Sequence, residues 1–225
     1  MNTALLLIDL QNDFCPGGAL AVAEGEQVIV IANQAINACL IQQIPVIASQ
    51  DWHPAEHRSF AINSNAQAGT VGELDGLTQV WWPVHCVQGK SGAAFHPQLQ
   101  QDAIAQVFRK GQDPDIDSYS AFFDNGKRTK TPLDAWLKQR EIERLYIMGL
   151  ATDYCVKYSV LDALALGYET TVICDGCRGV NRQPQDSQQA FNAMSDAGAH
   201  MLTLEQFLAV IQSCQKNSAV EWFDH

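Results

Sequence analysis

Cys155 stands just after a short apolar run, Leu145–Met148, where a helical spacing of apolar residues begins. Thr152 and Asp153 ahead of it are both able to cap that helix. A thiol in a first helical turn faces unpaired backbone N–H groups and the positive end of the helix dipole. That setting favours the thiolate and leaves donors for an oxyanion, although the position equally suits a cysteine packed at a helix start. Lys110 ends the apolar stretch that opens at Ile104, with Gly111 behind it. It is either a solvated lysine or a cation holding the Cys155 thiolate and a carboxylate in reach of each other. Asp9 follows the run Ala4–Ile8. It either caps the next turn or is a partly desolvated carboxylate with a raised pKa, fit to move protons. Asp51, His53, His57 and His85 form a candidate metal site. Asp51 and His53 are two apart, so an extended segment puts both on one side, and carboxylate with imidazole suits zinc, iron or manganese. The same spacing is also compatible with polar loop residues that bond locally.

These residues need elements to hold them. The runs Ala4–Ile8, Pro45–Ser49, Ile104–Phe108, Leu145–Met148, Thr171–Cys174 and the weaker Ala199–Thr203 predict strands. Their unbroken apolar character predicts burial on both faces, as in a parallel sheet. Between them, helical spacing runs through Val28, Ala32, Ala35 and Cys39. It recurs at Leu133, Trp136 and Leu137, at Val156, Val160 and Ala163, at Ala190 and Met194, and at Phe207 and Ile211. Alternation of strand and helix predicts βαβ units with right-handed crossovers. In open α/β sheets ligands bind beyond the carboxyl ends of the strands. Asp9, Asp51 with His53, Lys110 and Cys155 all stand at such ends. The exception to the alternation is residues 50–103, rich in Gly, Pro, Ser and Asn and without a period. A loop of that length in a compact unit implies function. Phe14, Phe60, Trp81 and Trp82 lie in irregular segments, where aromatics either lid a core or stack a flat ring.

Composition narrows the classes. The chain has 225 residues, 47% of them hydrophobic, and reads as one domain over residues 1–225. It carries 25 acidic and 14 basic residues, a net charge of −11. Such a surface disfavours nucleic acid and anionic membrane as partners. No apolar run approaches the ~18 residues of a membrane span, and the first residues show no signal-peptide pattern, which predicts a cytoplasmic protein. Seven cysteines, an odd number, fit free thiols in a reducing compartment. The pair Cys174 and Cys177 makes a lone CxxC, read here as two loop thiols. His96, His200 and His225 read as structural or surface residues.

Six segments then form a pattern. They are Asp9-Leu10-Gln11-Asn12-Asp13-Phe14-Cys15, Ser49-Gln50-Asp51-Trp52-His53-Pro54, Trp82-Pro83-Val84-His85-Cys86-Val87, Lys110-Gly111, Asp117-Ser118-Tyr119-Ser120-Ala121-Phe122 and Gly149-Leu150-Ala151-Thr152-Asp153-Tyr154-Cys155-Val156. In this order they resemble the nicotinamidase/pyrazinamidase family of isochorismatase-like hydrolases, from about Thr3 to about Thr203. The resemblance implies a three-layer α/β/α fold with a six-stranded, mainly parallel sheet. It implies a triad of Asp9, Lys110 and Cys155, and a divalent metal, zinc first with iron or manganese as alternatives, on Asp51, His53 and His85. His57 would join them directly or through water. It further implies a cis Leu150–Ala151 peptide and an oxyanion hole from the N–H groups of Ala151 and Cys155. Phe14 and Trp82 would sandwich a pyridine ring, with Tyr119 on the pocket wall. The implied activity is hydrolysis of nicotinamide to nicotinate and ammonia through a cysteine thioester, with pyrazinamide as a second substrate, in NAD salvage.

Within the superfamily a carbamoyl hydrolase or ureidoacrylate-type amidase is the nearest alternative, set apart by the Asp51/His53/His85 cluster. Isochorismatase itself is disfavoured by Cys155. A non-catalytic binding module or a redox protein built on Cys174 and Cys177 would be other classes. The sequence leaves the choice between monomer and homodimer open.

Overall fold

The structure, a computed structural model, describes residues 2–220. His225 lies outside them. Six parallel strands form the central sheet: β1 (Thr3–Ile8), β2 (Val46–Asp51), β5 (Ile104–Lys110), β6 (Arg144–Leu150), β7 (Glu169–Arg178) and β8 (His200–Leu202). Their order across the sheet is β5-β2-β1-β6-β7-β8. Each of the six apolar runs forms one of these strands. All six residues of β1 and of β2 are buried, as double-sided coverage requires.

The helices are α1 (Gly25–Ile41), α2 (Leu133–Gln139), α3 (Lys157–Ala165), α4 (Asp186–Asp196) and α5 (Leu204–Val220). Helix α1 buries Val28, Ile29, Ala32, Ala35, Ile36 and Cys39, one stripe at helical spacing, and packs on α5 and on the strands. It stops where Gln43 turns left-handed (φ 55°). The Gln43 N–H then meets Leu40 O and the Ile44 N–H meets Cys39 O, and Pro45 bars any continuation. Helices α3 and α4 pack on each other and make up the second helical layer, giving the three-layer α/β/α fold.

The strand order reverses between β1 and β6, a switch point at whose carboxyl side a crevice opens. Asp9 leaves β1 there and the segment bearing Cys155 leaves β6. Gly149 on β6 is required at this junction. Its φ is +137°, and a Cβ would lie 2.2 Å from Ile8 O of the adjacent strand.

Residues 50–103 hold more order than their composition implies. β3 (Val71–Leu74) and β4 (Leu77–Val80) form an antiparallel hairpin closed by Asp75-Gly76, both with positive φ (50° and 81°). That is the two-residue turn whose twist suits a hairpin, and Asp-Gly is its usual sequence. The segment is pinned from outside its own run: Gln11 Nε2 donates to Ala93 O (2.9 Å) and the Cys86 N–H donates to Asp13 Oδ2 (2.7 Å). Among the described residues no helix is long and apolar enough to cross a membrane.

Candidate active site

Register places the first pair. β2 and β5 run parallel with Asp51 opposite Lys110, so the two side chains emerge on one face. Lys110 Nζ donates to Asp51 Oδ1 at 2.5 Å, to Ser118 O at 2.9 Å and to Cys155 Sγ at 3.3 Å. It also lies 2.9 Å from Asp9 Oδ2. Asp9 follows β1 in the left-handed region (φ 49°), which Asp tolerates better than most residues with a Cβ. Ser49, two residues before Asp51 on the same strand face, donates its hydroxyl to Asp9 Oδ1 at 2.6 Å. Asp9 Oδ2 is ion-paired with the Lys110 ammonium, and a carboxylate oxygen of Asp9 lies within 4.8 Å of Cys155 Sγ. The structure thus brings Asp9, Lys110 and Cys155 together.

Cys155 sits in a single π-helical turn, Thr152–Val156, ahead of α3. Such turns interrupt helices at functional sites more often than elsewhere. The N–H groups of Tyr154 and Val156 both close on Ala151 O, and the Leu150–Ala151 peptide is cis.

Burial dominates the electrostatics. It lifts the Cys155 thiol well above its ordinary pKa; Lys110 opposes this, while Asp9 and Asp51 add to it. The low pKa that position at a helix start suggests is therefore outweighed. Burial also raises Asp9, against the pull of Lys110 and Ser49. For Lys110, burial acts downward, but Asp51, Asp9 and Cys155 outweigh it and hold the ammonium charged. For Asp51, burial acts upward, but Lys110 and His53 hold the carboxyl well below its usual range.

Asp51 also faces two imidazoles. His53 Nε2 is 3.4 Å and His85 Nε2 3.7 Å from Asp51 Oδ2. Each ring is fixed from behind, His53 Nδ1 on Gly111 O and His85 Nδ1 on Pro83 O, both at 2.8 Å. If Nδ1 carries the proton in each ring, both Nε2 lone pairs face the carboxylate, the arrangement that orients metal-ligating histidines. His53 Nε2 is buried with no hydrogen-bond partner. One oxygen and two nitrogens within 4.8 Å, one nitrogen orphaned, fit a divalent ion. Gly111 is needed here for two reasons: its φ is +68°, and a Cβ would meet His53 Cε1 at 2.3 Å.

His57 does not join this set. The Ser59 N–H donates to its Nδ1 (3.1 Å) and its Nε2 faces Ile116 O (3.3 Å), so both ring nitrogens are engaged with backbone. It groups instead with His53 and Asp117. Burial and the neighbouring His53 push its pKa down to about 4, which keeps the ring neutral.

A narrow pocket runs from Cys155 to His85, lined by Phe14, Asp51, Trp82, Asp117, Tyr119, Ala151 and Tyr154. Phe14, Trp82 and Tyr119 thus share one cavity with the thiol. Trp82 donates its ring N–H to Tyr119 Oη (3.3 Å) and meets Tyr154 edge-on at 4.9 Å. His96 and His200 lie away from it, and Cys174 and Cys177 sit on β7 as free thiols. Sequence reasoning missed the supporting roles of Ser49, Gln11, Asp117 and Tyr154. Gln11 brackets Asp51 through its backbone, donating to Asp51 O (2.7 Å) and accepting from Asp51 N–H (2.9 Å). For Ser49 a signal existed, the period of two that puts it on the face of Asp51.

The family model described as "Isochorismatase domain" matches residues 3–206. The chain is 62% identical over 201 residues to the nicotinamidase of Escherichia coli K12, covering 89% of this chain and 94% of that one. Among solved structures, an Acinetobacter baumanii nicotinamidase/pyrazinamidase superposes with TM-score 0.86 at 40% identity, over 92% of this chain and 98% of the other. A Pyrococcus horikoshii pyrazinamidase in complex with zinc gives TM-score 0.75 at 34% identity, over 90% and 99%. With a matching family model over most of its length and relatives this close, the chain belongs to the isochorismatase family.

Proposed function

We propose that this chain is a nicotinamide amidohydrolase of NAD salvage, acting through a nicotinoyl thioester on Cys155 and also accepting pyrazinamide. One observation carries the reading: the thiol, with Asp9 and Lys110 beside it, opens into an aromatic pocket that also reaches the Asp51/His53/His85 cluster. A flat heteroaromatic amide offers a carboxamide to the first and a ring nitrogen to the second. The 62% identity to the E. coli nicotinamidase supports this choice of substrate.

In this mechanism burial keeps the resting thiol protonated, so attack needs a base in reach, and Asp9 is that base. Its carboxylate takes the Cys155 proton, and the sulfur attacks the carboxamide carbon. The carbonyl oxygen becomes an oxyanion on the N–H groups of Ala151 and Cys155. Asp9 returns the proton to the leaving nitrogen, the C–N bond breaks and ammonia departs. Water, deprotonated by Asp9, then cleaves the thioester to nicotinate and regenerates the thiol. Lys110 stays charged throughout, holding Asp9 and the developing thiolate in place. Phe14, Trp82 and Tyr119 hold the ring.

Asp51, His53 and His85 would hold a divalent ion, zinc being the first choice because a related structure contains it. Such an ion supplies a Lewis-acid anchor for the ring nitrogen, which orients the substrate. The reading treats residues 1–225 as one catalytic domain, in which the 50–103 segment and the sheet build one site. It places the enzyme in the cytoplasm as a monomer or homodimer, and six free cysteines among the described side chains suit a reducing compartment. Ammonia release from nicotinamide by purified protein, with metal content measured in the same sample, tests the reading. A metal-loaded protein that releases no ammonia refutes it.

A further inference from the structure

An open cleft of about 590 Å³ backs onto the catalytic pocket and shares two of its wall residues, Tyr119 and Tyr154. Its other walls come from the β3–β4 hairpin (Val71, Thr78, Val80), the start of α3, Arg182 and Gln183 ahead of α4, and α4 itself. Two cations face it. Lys157 Nζ lies over the Tyr158 ring at 4.8 Å and forms no ion pair with any described residue. Arg182 donates to Gly69 O (2.7 Å) and hydrogen-bonds Tyr154, likewise without a carboxylate partner among the described residues. The two carboxylates of the cleft are already engaged. Asp153 accepts the N–H groups of Val180 (2.9 Å) and Asn181 (2.8 Å), and Asp186 accepts that of Gln183 (2.8 Å). Tyr158, 41% exposed and stacked on Tyr119 at 5.4 Å, adds a flat ring at the edge of the site.

The cleft thus sets two cations, neither in an ion pair with a described residue, beside an exposed ring. That pairing recognises an aromatic carboxylate. The reaction proposed above starts from a neutral amide and ends in such an anion, formed between Asp9 and Asp51. We infer that this cleft is a product vestibule, in which Lys157 and Arg182 receive the aromatic carboxylate after it leaves the pocket and bind it in preference to the neutral amide. The inference rests on the amidase reading.

The test is inhibition of the metal-loaded enzyme by added nicotinate. Lys157→Gln removes one partly exposed charge, and a loss of about two- to five-fold in nicotinate affinity is expected. Lys157→Glu loses more, and Lys157→Arg restores wild-type inhibition. KM and kcat for nicotinamide, which is neutral, stay within about two-fold in all three. Equal nicotinate inhibition in wild type, Lys157→Gln and Lys157→Glu overturns the vestibule, as does an equal change in KM for nicotinamide. If the wild type releases no ammonia from nicotinamide, it is the amidase reading that has failed.

Discussion

Ser49→Ala removes a single hydroxyl that touches no substrate, yet it acts on the base. Ser49 and Asp9 are both fully buried, and the 2.6 Å hydrogen bond between them favours the ionised carboxylate. A hydrogen bond to a charged group contributes ~1.5–3 kcal/mol. Water cannot replace it in so tight a site, so the variant's Asp9 carboxylate is less stable by that amount and its pKa moves up. Catalysis needs Asp9 ionised to take the Cys155 proton. The acid limb of kcat/KM therefore moves to higher pH. On that limb the variant is slower by about 10- to 150-fold, since each 1.4 kcal/mol is tenfold. The alkaline plateau, where Asp9 is ionised in both proteins, falls far less. Stability follows the same sign: Asp9 has a raised folded-state pKa, so its contribution is present at low pH and lost as pH rises through that pKa. The variant's deficit grows as Asp9 ionises and shrinks on acidification. The assay is ammonia release across pH at low substrate concentration, paired with denaturant unfolding at both ends of the range. An unmoved acid limb, or one moved to lower pH, refutes the assignment of Asp9 as the base supported by Ser49.

Lys110→Ala leaves Asp9 and Asp51 buried without their shared cation. It should abolish turnover and cost about 3–5 kcal/mol in denaturant unfolding, most at alkaline pH because protonating Asp9 removes one unpaired charge. His57→Ala should leave the bound metal, read by elemental analysis, unchanged, because both ring nitrogens are engaged with backbone; stability should fall by about 1–3 kcal/mol as the Ser59 N–H and Ile116 O lose their partner. Benzamide, which lacks the ring nitrogen, should react roughly 30- to 1,000-fold more slowly than nicotinamide. Chelation should slow nicotinamide strongly and benzamide little, and equal slowing of both would remove the anchoring role.

Much of this was legible in the sequence because parallel strands buried on both faces leave unbroken apolar runs, and chemistry gathers where those runs end. The hairpin at Val71–Val80 was missed because its strands are short and half-exposed, although Asp75-Gly76 marked the turn. The helical start at Thr152 gave no sign of its π turn, which no side-chain spacing encodes. His57 and His85 look alike in sequence. Their difference lies in which backbone atoms face each ring: Pro83 O leaves His85 Nε2 free, whereas Ser59 N–H and Ile116 O engage both nitrogens of His57. The electrostatics of Cys155 were less legible for a related reason, since the helix-start argument counts the dipole but neither burial nor the two carboxylates that folding brings beside the sulfur.

The central claim is a covalent one, that Cys155 carries the acyl group between loss of ammonia and attack of water. Rapid acid quench of the enzyme during nicotinamide turnover, followed by peptide mass spectrometry, reads it directly. The account predicts one nicotinoyl group on Cys155, absent from the other cysteines, together with loss of both adduct and activity in Cys155→Ala at unchanged metal content. Ammonia release by Cys155→Ala at a rate near wild type would contradict it.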